Sequence, residues 1–172
     1  MGMRALLAAS LWLCACASGL PPEILATRGT PKAWSIGIVS GDSPFQLREA
    51  PQCPNPRFTK HDVVGTNALF VADPFLVREG EKWFLFFELF NSDSDKGEIG
   101  LAESEDLFTW KFKKIVLTEP FHLSYPFVFK EGGQYYMIPE SRQARSIRLY
   151  RAARFPDVWR FEKVLVRGNF SD

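Results

Sequence analysis

The chain has 172 residues, 46% of them hydrophobic and 15% aromatic, with sixteen Phe. That composition supplies a real core and excludes a disordered chain. The net charge of +1 and the lack of any basic face argue against nucleic acid as a partner. Lys113-Lys114 and the spaced Arg142, Arg145 and Arg148 read as solvated strand or turn positions.

Residues 1–17 differ in kind from the rest. Arg4 is their only charge, Ala5 to Leu13 form a short apolar run, and small residues follow. The run is too short to span a bilayer, which takes about 20 apolar residues, so it reads as an export signal. Its end has two readings. Leu13-Cys-Ala-Cys16 resembles the bacterial lipobox, with Cys16 as the lipidated mature N-terminus. Ala15-Cys-Ala17 also fits ordinary cleavage before Ser18. The expected location is the bacterial cell envelope in the first case, and the periplasm or exterior in the second. Residues 18–33 read as a tether. Cys53 is then the one cysteine left in the mature domain, so no disulfide framework is expected.

Trp34 to Val39 reads as the first strand, closed by the Gly41-Asp-Ser-Pro44 turn, and residues 50–68 as an irregular connection. From there the chain repeats. The segment from Asp73-Pro-Phe to Glu88 aligns without gaps on Tyr125-Pro-Phe to Glu140, at an offset of 52. Ile99-Gly-Leu-Ala matches Ile147-Arg-Leu-Tyr, and Trp110-Lys-Phe matches Trp159-Arg-Phe. Each copy divides into four strands: 75–78, 83–88, 98–103 and 111–117, then 127–130, 135–138, 147–151 and 160–166. Four short antiparallel strands per repeat are one propeller blade. The second strand of the first copy is apolar on both faces, as a strand between two blades must be. Pro139 should end pairing at the close of the second copy's second strand.

The fold expected is therefore all-β: a partial five-bladed propeller of two four-stranded blades, an N-terminal strand and the start of a third blade at Asn169-Phe-Ser-Asp172. Five blades at this spacing would need about 250 residues, so a fragment, or a partner chain that completes the ring, is expected. The blade geometry brings the start of each first strand (Asp73, Tyr125) and the end of each second strand (Glu88, Glu140) to one rim. His122 and Arg142 fall nearby, and Asp172 takes the equivalent place in the next blade. Two or three carboxylates around a funnel suit glycosidic-bond chemistry, which needs one protonated acid and one ionised base or nucleophile. Asp-Pro is also a common turn opener, and a Glu at a strand end often caps or pairs, so structural roles stand beside these. Asn91 to Glu98 fails the calcium-loop pattern and reads as a polar connection. No phosphate loop, zinc pattern or Ser-His-Asp arrangement occurs, and no cofactor or metal is expected.

At Trp34-Ser-Ile-Gly-Ile, Phe70-Val-Ala-Asp-Pro-Phe75, Gly97-Glu-Ile-Gly-Leu101, Phe121-His-Leu-Ser-Tyr-Pro126 and Tyr136-Met-Ile-Pro-Glu-Ser141, the chain resembles one family. That family is the N-terminal domain of glucosamine inositolphosphorylceramide transferases and its bacterial relatives, similar in turn to the five-bladed propellers of arabinanases, xylosidases and invertases. The resemblance implies a carbohydrate or glycolipid ligand. In the glycosidase propellers the Asp that opens the first blade is base or nucleophile, which falls on Asp73. It leaves Glu140 as the acid and Tyr125 where a second carboxylate would stand. His122, Tyr125, Arg142 and Asp172 would then address sugar hydroxyls. Three functions follow as expectations: an exported carbohydrate-binding or carbohydrate-processing module, a non-catalytic interaction scaffold or inactive remnant, and a glycoside hydrolase using Asp73 and Glu140.

Overall fold

The computed structural model describes residues 34–43, 45–49 and 54–171. The segments expected to be signal and tether, with Cys16, Cys53 and Asp172, lie outside the described residues. Eight strands follow one another in chain order. They are β1 (Ala68–Glu79), β2 (Lys82–Asn91), β3 (Lys96–Ser104), β4 (Lys111–Leu117), β5 (Ser124–Glu131), β6 (Gln134–Glu140), β7 (Ser146–Arg154) and β8 (Val158–Arg167). They pair antiparallel as two four-stranded sheets, β1-β2-β3-β4 and β5-β6-β7-β8. The two repeats are thus two blades of the same meander.

Burial on both faces makes β2 the hub of the core. Phe84 and Phe86 point to the second blade and join Val128, Tyr135, Met137, Tyr150 and Trp159. Leu85, Phe87 and Leu89 point the other way, onto Ile36, Phe58 and Val63. Alternation of side chains along a strand puts odd and even residues into two different cores. Phe86 and Phe87 are both fully buried. Truncating either to Ala should cost about 3–5 kcal/mol. At the hairpin end of the joint, Lys130 pairs with Glu79 at 3.0 Å, and the Tyr135 hydroxyl donates to the same carboxylate. These hydrogen bonds, the one from Tyr135 first, hold Glu79 below the usual carboxylate range.

Three expectations are corrected. Trp34 to Val39 is no strand of a sheet, for its only β contact among the described residues is the isolated bridge Ile36↔Phe58. Ile36 exchanges hydrogen bonds with Phe58 at 2.8 and 3.1 Å. One step on, the amide of Ile38 donates instead to the Asn55 side chain at 2.8 Å. The Pro-rich stretch opposite cannot supply a continuous ladder. The segment serves as an apolar cover for β2.

β1 and β5 begin earlier than the repeat suggested, because Asp73-Pro74 and Tyr125-Pro126 do not open turns. Each lies inside its strand at a register shift, between Ala72 and Phe75 and between Ser124 and Phe127. Asp73 (φ 51°) and Tyr125 (φ 45°) both take the left-handed conformation, which absorbs the extra residue of a bulge. Pro139 does not end β6, which runs to Glu140. It does interrupt one side: the ladder to β7 covers only Tyr136 and Met137, while the ladder to β5 resumes at Ser124↔Glu140.

Among the described residues, the second blade is covered on one face only. Its other face carries Phe127, Phe129 and Tyr136, stacked in sequence with centroids 5.4 and 5.6 Å apart. Phe127 is 46% exposed, whereas Phe86 and Met137 across the joint are fully buried.

Candidate functional site

The rim is built where the two bulges meet. A left-handed residue at a bulge turns its side chain out of the regular alternation. Asp73 is thereby carried to the second blade, where its Oδ2 accepts the backbone N–H of Tyr125 at 3.1 Å. The carboxylate stays 8% exposed. On the other side of the same step, the Ser124 hydroxyl donates to Glu140 Oε2 at 3.4 Å. Asp73 and Glu140 therefore flank the Ser124-Tyr125 peptide, one from each blade. The Tyr125 ring stands edge-on to Phe75 at 4.9 Å.

Glu88 sits opposite Ala72 on β2 and is 6% exposed. His122, on the connection between blades, reaches it with Nε2 at 3.3 Å from Glu88 Oε1. The other ring nitrogen, Nδ1, accepts the backbone N–H of Gly97 at 2.9 Å. A ring nitrogen that accepts carries no proton, so the neutral ring has its hydrogen on Nε2, facing Glu88. The backbone N–H of His122 donates to Gln143 Oε1 at 3.0 Å, and Leu123 N–H donates to the Gly97 carbonyl at 3.0 Å. Gly97 is required by this approach. A Cβ there would lie 2.4 Å from the Leu123 carbonyl oxygen, 2.6 Å from His122 Cε1 and 2.9 Å from Glu88 Oε1.

The structure thus brings Asp73, Glu88, His122, Tyr125 and Glu140 to one rim, as the repeat implied. Arg142 is close in sequence to Glu140 but exposed, in the 3-10 turn Arg142–Ala144 between β6 and β7. Sequence reasoning missed Gly97 and Gln143. Gly97 was visible as a glycine at the start of β3 where the second repeat has Arg145, whereas Gln143 carried no signal. The polar residues of the Asn91-to-Glu98 connection are held by protein hydrogen bonds: Asn67 Nδ2, just before β1, donates to Asp93 Oδ1 at 2.8 Å, and Asn91 Nδ2 to Glu98 Oε2 at 2.9 Å. Beside the rim, on the open face of the second blade, lies a cleft of about 690 Å³ lined by Tyr125, Phe127, Ile138, Glu140, Ile147 and Phe170. An apolar wall with a carboxylate and a phenol at its mouth can pack a sugar face and grip its hydroxyls.

Comparison with known proteins bears on fold and family separately. The silkworm enzyme Bombyx mori GH32 beta-fructofuranosidase BmSUC1 superposes with a TM-score of 0.54 over 73% of this chain and 29% of its own, at 18% identity. A variant of it in complex with sucrose gives 0.56 over 76% of this chain and 30% of its own, at 16% identity. At such identity the likeness shows the fold alone, and the fold is part of a propeller. Glucosamine inositolphosphorylceramide transferase 1 of Oryza sativa subsp. japonica is 42% identical over 149 residues, 78% of this chain. Its Arabidopsis thaliana counterpart is 41% identical over 155 residues, 81% of this chain. The chain spans about a fifth of the length of these relatives, 20% of each. The family model described as glucosamine inositolphosphorylceramide transferase 1, N-terminal, matches residues 27–172. With the blade pair, the paired bulges and these relatives in agreement, the chain belongs to that N-terminal domain family.

Proposed function

We propose that this chain is an exported carbohydrate-binding or carbohydrate-processing module whose ligand lies across the rim formed by Asp73, Glu88, His122, Tyr125 and Glu140. One observation carries the reading. Asp73 and Glu140, from different blades, are fixed on the two sides of a single peptide, Ser124-Tyr125, beside an aromatic cleft. Carboxylates accept hydrogen bonds from sugar hydroxyls, and the aromatic wall packs the C–H face of a sugar ring. The names of the rice and Arabidopsis relatives and the sucrose bound by the silkworm enzyme support a carbohydrate or glycolipid as ligand. Asp73 and Glu140 are the pair to carry any catalysis, while His122, Tyr125, Arg142 and Asp172 contact the ligand. Cys16, lipidated, would hold the rim near a membrane.

Titration of the full-length chain with a panel of neutral sugars in a calorimeter tests the site. Asp73→Asn and Glu140→Gln keep size and remove charge, and each should weaken binding about tenfold, the worth of a hydrogen bond to a charged group. Unchanged affinity in both variants would overturn the assignment. Hydrolysis by the same pair requires carboxyls about 5–9.5 Å apart, and turnover of aryl glycosides abolished by either variant is its signature. For the anchor, fatty-acid labelling of cells producing the chain should be lost in Cys16→Ser.

The open aromatic face of β5 and β6 favours a second reading, a non-catalytic interaction module. Exposed edges and faces of this kind recruit other chains. A stable monomer in sedimentation that binds sugars would defeat it.

A further inference from the structure

The two blades carry opposite net charge. Residues 68–118 hold ten acidic and six basic side chains, whereas residues 119–171 hold five acidic and nine basic. The reversal is concentrated in the connection between the second and third strands. In the first blade it contains Asp93 and Asp95, and Asp95 is left-handed at φ 51°. In the second it contains Arg142 and Arg145, and Arg145 is left-handed at φ 50°. Each connection thus carries one left-handed residue, and the two residues are of opposite charge.

We propose that Arg142, Arg145 and Arg167 form a subsite for an oxyanion carried by the sugar ligand, a phosphate, sulfate or carboxylate group. Backbone bonds hold the three together. Arg145 N–H donates to the Arg142 carbonyl at 2.8 Å, Gly168 N–H donates to the Arg145 carbonyl at 2.9 Å, and Arg167 is the register partner of Ser146. The Ser141 hydroxyl, bonded to the Ser146 carbonyl at 2.6 Å, ties the base of the turn. All three arginines are exposed, and none forms an ion pair among the described residues. The other arginines of the blade's third strand are engaged. Arg151 pairs with Glu162 at 3.0 Å and Arg154 with Asp157 at 2.9 Å, while Arg148 is held between the rings of Phe121 and Phe161, 4.9 Å from each.

Three guanidinium groups without an ion pair among the described residues, two on the braced turn and one at the adjoining end of β8, match the planar, bidentate demands of an oxyanion better than ammonium groups would. Their place also fits: Glu140 and Ser141, at the mouth of the cleft, lead directly into Arg142. A ligand gripped at its hydroxyls by Asp73 and Glu140 would lay its anionic group over the second blade, away from the acidic turn of the first. The inference rests on the carbohydrate reading for the body of the ligand, but not for the anion.

The test is calorimetric titration of the full-length chain with glucose, glucose 6-phosphate, glucuronate and inorganic phosphate, and sedimentation with phosphatidylcholine vesicles with and without phosphatidylglycerol. Glucose 6-phosphate or glucuronate should bind about tenfold tighter than glucose, an advantage that falls as salt is added. Arg145→Gln/Arg167→Gln should erase most of the advantage and leave the glucose affinity unchanged. Arg160→Gln/Lys163→Gln, which removes charge near the opposite end of β8, should keep it, and melting curves of both variants control for folding. Equal affinity for glucose and its anionic forms overturns the subsite while the proposed function stands. Equal losses in both variants overturn it as mere net charge. Binding of inorganic phosphate without any sugar sinks the proposed function and keeps the arginine site. Binding to anionic vesicles with no response to any soluble anion overturns the sugar-borne anion in favour of a membrane contact.

Discussion

The two blades share a meander, a bulge and a left-handed residue at each equivalent point, yet they differ in what surrounds them. The first has its second strand buried on both faces, by the second blade through Phe84 and Phe86 and by the N-terminal cover through Leu85, Phe87 and Leu89. The second blade has one buried face and one on which Phe127 remains 46% exposed. A repeat fixes the backbone, and the neighbours decide how much each copy is worth.

Substitutions at equivalent positions measure that difference, the largest first. Phe86→Ala should lower stability in urea by about 3–5 kcal/mol, because a fully buried ring leaves a cavity. Its repeat partner Ile138, on the open face, should cost less than about 1 kcal/mol on the same change, since partly exposed side chains contribute little. Equal losses would mean that the open face is covered in solution.

Gly97→Ala comes next, at about 2–3 kcal/mol, because the added carbon meets a backbone carbonyl, not a flexible side-chain end. The equivalent Arg145 runs the other way. Arg145→Gly should stabilise by up to about 1 kcal/mol, since relief of the left-handed conformation is partly offset by chain entropy. Urea midpoints of the pair check both signs.

The smallest effects are on pH, and they too separate the blades. In the first, backbone N–H groups of Thr109 and Phe108 hold the exposed Asp106 carboxyl down to about 2. A depressed carboxyl contributes stability above its ordinary value near 3.8, and the contribution is lost as pH falls toward 2. In the second, burial and then the hydrogen bond to Glu119 push the Tyr150 hydroxyl well above the ordinary value near 10. A raised tyrosine contributes below that value, and the contribution declines as pH rises past it, because the unfolded chain ionises first. Stability curves of Asp106→Asn should be flatter than wild type on the acid side, and those of Tyr150→Phe flatter on the alkaline side. Unaltered slopes would remove these groups from the account.

Much of this was legible in the sequence because repetition is a global signal. The offset of 52 aligned Asp73 with Tyr125 and Glu88 with Glu140, and the structure gives each pair the same strand position. The near-continuous apolar run within residues 83–88 announced a strand buried on both sides. What stayed hidden depended on contacts made across the chain. Asp-Pro looks the same whether it opens a turn or forms a bulge, and only the partner strand distinguishes them. Trp34 to Val39 has strand composition, but its neighbour offers single bonds and an Asn55 side chain in place of a ladder. His122 was singled out as a ligand contact. That both of its nitrogens would already meet Gly97 and Glu88 required the fold of two blades at once.

The close approach at Gly97 has a consequence for the geometry of repetition. Where residue 97 has only hydrogen, an imidazole and a carbonyl from the next blade close to within a bond length or two of where a carbon would stand. The corresponding residue of the second blade is Arg145, whose side chain is exposed and whose carbonyl accepts the N–H of Gly168. The tight approach at Gly97 is therefore a feature of the first blade that the second does not repeat.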